Sequence, residues 1–172
     1  MKNIELKIII DGFDGITETL KNIGADFKGE LSQADVYFNC PKGRLKIREI
    51  NDEKFELIFY ERPDSANSKV SEYEIVELSE NQADCLINIL DNILGKKADL
   101  NKIRKLWVYE HTRIHLDNVS ELGNFLELET VVKDMTFEQA EEEHKKLIDL
   151  LDIAHFKKVG KSYVELFLEK SK

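Results

Sequence analysis

The sequence is poor in residues that break or cross-link a chain. Of 172 residues, only two are Pro, two are Cys and eight are Gly. So few breakers exclude a loop-dominated or disordered protein. Two cysteines do not make a disulfide framework in a chain of this size. Cys40 and Cys85 are therefore expected to be reduced, as small buried hydrophobes in a cytoplasmic protein. Long apolar runs are also missing. The N-terminal apolar stretch at residues 8–10 is too short for a signal sequence or a membrane span. Nor is there a surplus of basic residues: 25 Lys+Arg stand against 34 Asp+Glu, a net charge of −9. That balance argues against long nucleic acids and membranes as partners.

Familiar catalytic signatures are absent too. There is no Gly-x-Gly-x-x-Gly and no Gly-x-Ser-x-Gly. Gly160-Lys161-Ser162 resembles the end of a phosphate-binding loop, but His155 stands where that loop needs its first Gly. His111 and His115 would lie ~13 Å apart on a strand, too far to share a metal. Glu141 and His144 have the i,i+3 spacing of a di-iron bundle, but such sites need two copies, and the pair reads as a solvated helix face. Trp107 and Tyr109 read as ordinary strand aromatics.

What is present is alternation. Hydrophobic residues make up 42% of the chain, enough for a substantial core. Period-two patterns predict strands near 3–10, 27–31, 35–39, 44–50, 54–61, 70–78, 102–110, 112–118 and 125–133. Asn51-Asp52 marks a hairpin, Pro41 and Gly43 mark a turn, and Pro63 ends the hairpin pair before a polar connector at 64–68. Phe13, Ile16, Leu20 and Ile23 have helical spacing. Ser79 with Gln82 forms a capping box for a second helix, and Thr136 caps a third. The segment 156–168 is an apolar tail broken at Gly160. Strands in hairpin order without βαβ units predict an α+β fold with an antiparallel sheet or barrel, as one domain over 1–172.

The charges on these strands are patterned. In Arg44-Leu45-Lys46-Ile47-Arg48 three cations share one face, about 6.6 Å apart. Like charges in a row are mildly destabilising and ask for an anion, for which a chain of phosphates is a natural fit. Lys102 and Arg104 repeat the spacing, and Lys7, Arg113 and Lys161 add single cations. Carboxylates also pair: Glu127 with Glu129 on one strand face, Glu5 beside Lys7, and Asp117 in line with Arg113 and His115. Close carboxylates are hard-cation ligands, suited to Mg²⁺ or Mn²⁺ bound together with phosphates. A half-solvated sheet also alternates charges toward water. A closed barrel with a polar lumen would explain why cations and carboxylates keep to different strands.

Several segments together resemble the CYTH superfamily, the triphosphate tunnel proteins, and within it the class IV adenylate cyclases. They are Asn3-Ile4-Glu5-Leu6-Lys7, Gln33-Ala34-Asp35-Val36-Tyr37-Phe38, Gly43-Arg44-Leu45-Lys46-Ile47-Arg48-Glu49 and Tyr60-Glu61-Arg62-Pro63. Then follow Thr112-Arg113-Ile114-His115-Leu116-Asp117, Leu122-Gly123-Asn124-Phe125-Leu126-Glu127-Leu128-Glu129 and Lys161-Ser162-Tyr163. The resemblance implies an eight-stranded antiparallel β-barrel with flanking helices, a basic lining for a triphosphate such as ATP, and acidic residues for Mg²⁺ or Mn²⁺. It implies phosphate contacts from Arg44, Lys46, Arg48, Lys102, Arg104 and Lys161, and catalytic roles for Lys7, Arg113 and Tyr37. Glu5, Glu127, Glu129 and Asp117 would be the metal ligands. The activity implied is conversion of ATP to cyclic AMP and pyrophosphate. Hydrolysis of inorganic, thiamine or nucleoside triphosphate is the alternative, and triphosphate binding without turnover a third. The chain departs from the family at Asn3, which replaces the first Glu of the opening Glu-x-Glu-x-Lys motif and weakens a two-metal site. It departs again at Ile58, which stands where the family's hydrolases carry a Lys, and this disfavours hydrolysis. A homodimer is left open.

Overall fold

The alternating segments are eight strands in the computed structural model, which describes residues 2–61 and 69–171. They are β1 (Lys2–Ile9), β2 (Asp26–Phe38), β3 (Arg44–Ile50), β4 (Lys54–Glu61), β5 (Lys69–Leu78), β6 (Lys96–Tyr109), β7 (Thr112–Val119) and β8 (Gly123–Val131). Four helices join them: α1 (Asp14–Asn22), α2 (Glu80–Leu94), α3 (Phe137–Leu150) and α4 (Tyr163–Lys170). The strands run in the order β1-β5-β4-β3-β2-β6-β7-β8, and β8 pairs back onto β1 to close a barrel. All neighbours are antiparallel. This is the α+β antiparallel barrel expected from the sequence. Arg62, the Pro63 turn and the connector at 64–68 lie outside the described residues. No helix among the described residues is long and apolar enough to cross a membrane.

The alternation is used inside out. On β3, Leu45 and Ile47 face outward and pack with Phe38, Phe55 and Ala83 under α2. Lys46 and Arg48 face the lumen. On the opposite side Leu6, Ile8, Ile114, Leu116, Leu126 and Leu128 face outward, against Leu20 of α1 and Leu147 of α3. Across one end of the barrel, Tyr163 and Val164 of α4 pack on Tyr37, Leu100 and Phe125. Two of the apolar cores therefore lie between barrel and helices, where each fully buried Leu or Ile contributes about 1.5–3 kcal/mol, and the third closes one end of the barrel interior under α4. The rest of the lumen is lined mainly by polar side chains.

Local signals place the connections. Asn51 and Asp52 adopt φ of +54° and +57° in the β3–β4 turn. The Asn51 side chain accepts from the Ser32 backbone N–H at 2.8 Å, which ties this turn to β2. The capping boxes of α2 and α3 form at Ser79–Gln82 and Thr136–Gln139, as expected.

Five expectations need correction. The segments 27–31 and 35–39 are one strand, β2, because Gln33 continues the inward-facing row across the polar stretch between them. Its register shifts between Phe27 and Gly29, a bulge that Gly29 accommodates at φ +129°. β6 begins at Lys96, not 102. The tail after Gly160 contains α4, capped by Ser162 and Glu165. Cys85 is exposed on α2 instead of buried, and both cysteines are free. His144 is not on a solvated face: it is buried, and its Nδ1 lies 2.9 Å from Thr130 Oγ1. Beside it, Glu143 accepts from the His111 backbone N–H at 2.9 Å and from Thr112 Oγ1 at 2.7 Å.

Gly43 holds the entry to β3 at φ +69°, where an added Cβ would meet a Phe59 ring carbon at 2.8 Å and the Tyr60 carbonyl at 2.9 Å. Gly123 also has positive φ, +99°, but nothing lies within 4 Å of its added Cβ. Gly123→Ala is expected to cost about 1–2 kcal/mol through backbone strain alone. Gly43→Ala adds overpacking and should cost roughly 2–4 kcal/mol. Urea unfolding of the two variants measures both; equal losses would contradict the packing argument.

Candidate active site

The barrel encloses a cavity of about 290 Å³. Among the described residues six cations line it: Lys7 on β1, Lys46 and Arg48 on β3, Lys102 and Arg104 on β6, and Arg113 on β7. Four carboxylates face them: Glu5 on β1, Glu56 on β4, and Glu127 and Glu129 on β8. The lining thus leans positive although the whole chain carries −9. Strand order partly separates the signs. β3, β2 and β6 are neighbours and form a basic wall, while β7, β8 and β1 are neighbours and carry most of the acids. Leu31, Ile58, Ile75 and Leu106 supply an apolar part of the lining.

Burying like charges together requires compensation. Asp35, 4% exposed on β2, provides it for the basic wall. Its carboxylate accepts from Arg48 Nε at 2.7 Å, Arg48 Nη2 at 2.9 Å and Lys46 Nζ at 2.8 Å. Lys102 Nζ stands 3.9 Å away. Register explains the meeting, since Asp35 is paired directly with Arg48, and Tyr37 with Lys46. Burial by itself would raise the Asp35 carboxyl, but Arg48, Lys46 and Lys102 hold it well below the usual carboxylate range. Burial and the repulsion of Arg48 lower Lys46 to about 8 despite Asp35. Lys102 is also pushed down, by burial and by Arg104 and Arg48.

A second carboxylate, Asp117, is fully buried. It holds Arg104 in a two-pronged pair, with Nε–Oδ1 at 2.7 Å and Nη2–Oδ2 at 2.6 Å. Tyr163 donates its hydroxyl to the same carboxylate at 3.0 Å. Burial opposes ionisation of Asp117, but Arg104 and Lys102 bring it to about 2. Arg104 is thereby fixed, with Nη2 at 3.3 Å from Glu127 Oε2.

The acidic wall is built by register on three strands. One row is His115, Glu127 and Lys7; the next is Arg113, Glu129 and Glu5. Glu127 Oε1 lies 3.3 Å from Lys7 Nζ, and Glu129 Oε2 lies 2.8 Å from Arg113 Nη2. His115 Nδ1 is buried without a hydrogen-bond partner among the described residues, 3.7 Å from Glu127 and 3.8 Å from Glu129. Ligand atoms of these three residues fall within 4.8 Å of one another. A ring nitrogen left unpartnered between two carboxylates fits a divalent cation.

The lumen brings together Lys7, Arg113, Tyr37, Lys46, Arg48, Lys102, Arg104, Glu5, Glu127 and Glu129 from the sequence reading. Three named residues stand elsewhere. Asp117 lies behind Arg104 and is engaged by it and by Tyr163. Arg44 pairs with Glu165 of α4 at 2.6 Å, and the Lys161 ammonium pairs with Glu169. Both cations are drawn to α4, which the sequence reading left as a tail. Asp35, Glu56 and His115 were not assigned. The signal for Asp35 was its period-two spacing from Tyr37 on a strand next to β3. For His115 it was the shared face with Arg113.

The CYTH domain family model matches residues 1–163, and the chain belongs to that family. A Methanocaldococcus jannaschii protein named "Putative adenylate cyclase" is 28% identical, over 96% of this chain and 98% of its own. Among solved structures, a Pyrococcus horikoshii protein superposes with a TM-score of 0.82 at 24% identity, over 95% of this chain and 98% of its own. A Hippeastrum protein named "Putative adenylyl cyclase" superposes with a TM-score of 0.71 at 12% identity, over 98% and 95%.

Two consequences of these electrostatics are measurable. Asp35→Asn leaves Lys46, Arg48 and Lys102 uncompensated and should lower stability by about 3–5 kcal/mol. Tripolyphosphate should raise the melting temperature of this variant more than that of the wild type, because the anion replaces the lost charge. An unchanged melting temperature in the variant would contradict the compensation. Lys46 keeps its proton below about 8 and loses it above. Tripolyphosphate affinity should therefore fall between about pH 7 and about pH 9, by up to roughly tenfold, relative to a Lys46→Arg variant that keeps its charge. Calorimetric titration of both proteins reads the difference; parallel profiles would exclude Lys46 as the source.

Proposed function

We propose that this CYTH domain binds ATP in its barrel and converts it to cyclic AMP and pyrophosphate. The single observation that carries the reading is the division of the lumen, with a basic wall facing a carboxylate corner. The name of the Methanocaldococcus jannaschii relative supports it. In this reading the β- and γ-phosphates lie along Lys46, Arg48, Lys102 and Arg104. The apolar side chains Ile58 and Ile75, opposed in register on β4 and β5, offer a surface for the organic part of the substrate. An inorganic tripolyphosphate has no use for such a surface.

The ribose 3′-oxygen attacks the α-phosphorus in line. A new P–O bond forms, the bond from the α-phosphorus to the bridging oxygen breaks, and pyrophosphate leaves with the electron pair. The 3′-hydroxyl proton passes to water. A divalent cation, Mg²⁺ or Mn²⁺, held by Glu127, Glu129 and Glu5, would neutralise charge on the α-phosphoryl group and acidify the attacking hydroxyl. Lys7 and Arg113 flank those carboxylates and orient both the carboxylates and the reacting phosphoryl group. The chain's contribution is positioning and preorganised charge, because its cations are already locked by Asp35 and Asp117 before substrate arrives.

Hydrolysis of the triphosphate is the second reading. It is favoured by the Tyr37 hydroxyl, which accepts from Lys46 Nζ at 3.4 Å inside the cavity. The Hippeastrum protein is described as having a dominant triphosphatase activity. Ile58 counts against hydrolysis, since it places an alkyl group beside Lys46 where a second amine would assist water.

Incubation with ATP, GTP, thiamine triphosphate and tripolyphosphate, each with Mg²⁺ or Mn²⁺, separates the two by product. Cyclic AMP with pyrophosphate is expected from ATP; orthophosphate alone would replace the reading with the second. Glu127→Ala and Glu129→Ala should each lower metal-dependent turnover by about 100-fold or more. Near-wild-type turnover in either would overturn the assignment of the carboxylate corner.

A further inference from the structure

The acidic corner contains a nitrogen donor. His115 is 3% exposed, and its Nδ1 has no hydrogen-bond partner among the described residues. That nitrogen faces Glu127 Oε2 at 3.7 Å and Glu129 Oε1 at 3.8 Å. Both separations are too long for a hydrogen bond. They match two ligand atoms that share one ion, since ligands about 2.1 Å from a common cation lie roughly 3–4 Å apart.

Among the described residues, the neighbours across the sheet offer that nitrogen the two carboxylates. On β6 the residue opposite His115 is Leu106, which offers no side-chain acceptor. On β8 the residue opposite is Glu127. Glu129 gives its other oxygen, Oε2, to Arg113 and leaves Oε1 on the side of His115. The buried nitrogen is thus aimed at Glu129 Oε1 and at Glu127 Oε2, the latter also accepting from Arg104 Nη2 at 3.3 Å.

We propose that His115, Glu127 and Glu129 form a one-nitrogen, two-carboxylate site that takes a transition-metal dication in preference to Mg²⁺. The inference rests on the proposed role of Glu127 and Glu129 as metal-holding carboxylates, and adds to it the class of metal. Imidazole adds affinity for the series from Mn²⁺ to Zn²⁺, whereas Mg²⁺ favours an all-oxygen shell and keeps its waters. The cations nearest the corner, Lys7, Arg104 and Arg113, reduce affinity for every dication alike. They leave the discrimination to the donor atom.

The test needs no triphosphate and no turnover. The full-length protein, freed of metal, is titrated with Co²⁺ by visible absorbance, with Mg²⁺ as competitor. The expected result is Co²⁺ binding that Mg²⁺ displaces poorly, and a loss of about 100-fold in Co²⁺ affinity in His115→Ala with little change for Mg²⁺. Equal Co²⁺ affinity in the two proteins would overturn the proposal. Circular dichroism checks that the variant folds. Should it not fold, pulsed electron paramagnetic resonance of Mn²⁺ on the wild type gives the same answer: imidazole-nitrogen coupling supports the site, and its absence overturns it. A protein that ligates metal through nitrogen but makes no cyclic AMP would refute the cyclase reading and leave this site standing. The reverse outcome would do the opposite.

Discussion

One buried carboxylate makes the basic wall sustainable. Lys46, Arg48 and Lys102 converge on the lumen, and unaided they would repel one another in a poorly solvated space. Asp35 sits among the three and bonds two of them directly. The compensation is incomplete by design of the count, since one negative charge faces three positive ones. Burial, together with this remainder of positive charge, lowers the affinity of Lys46 and Lys102 for their protons. A bound polyanion would supply the missing charge. Asp117 does the same work for Arg104 alone and leaves it nearly neutralised. The two walls therefore differ in balance: the β3–β2–β6 wall sets one carboxylate against three cations, and the β7–β8–β1 corner sets Glu127 and Glu129 against Lys7, Arg104 and Arg113.

Barrel closure turns these local pairings into a site. Because β8 returns to β1, Lys7 and Glu5 meet Glu127 and Glu129, and the inward faces become a single surface. Register then decides the neighbours: Arg48 opposite Asp35, His115 opposite Glu127, Glu5 opposite Glu129. A slip of one residue on β8 would turn Glu127 and Glu129 outward and Leu128 inward. The apolar residues that pack under α1, α2 and α3 resist that slip, so outer packing holds the inner chemistry in place.

Much of this was legible in the residues. Period two revealed the strands, and cations at every second position on β3 revealed a charged face. The hairpin at Asn51-Asp52 and the helix caps at Ser79 and Thr136 are local signals, and they survive into the structure. What was not legible is long-range. Asp35 looks like one carboxylate among many until β3 and β6 are laid beside β2. His115 was dismissed because it was measured against His111 along the strand, when its partners lie across the sheet. Arg44 and Lys161 were counted as free cations, yet Glu165 and Glu169 take them up, and those acids stand on a helix the periodicity did not resolve.

The placement of two of the apolar cores outside the barrel has a consequence for how such a protein can change. In most domains the residues that hold the chain together surround the functional ones, and altering either disturbs both. Here the two sets point in opposite directions from the same strands. Every second position can be rewritten with little loss of packing, provided the charges inside still sum to something tolerable. Conservation of charge, not of shape, is then the rule that limits drift in the lumen. A fold with that division of labour is free to exchange substrates while its outer architecture stands still.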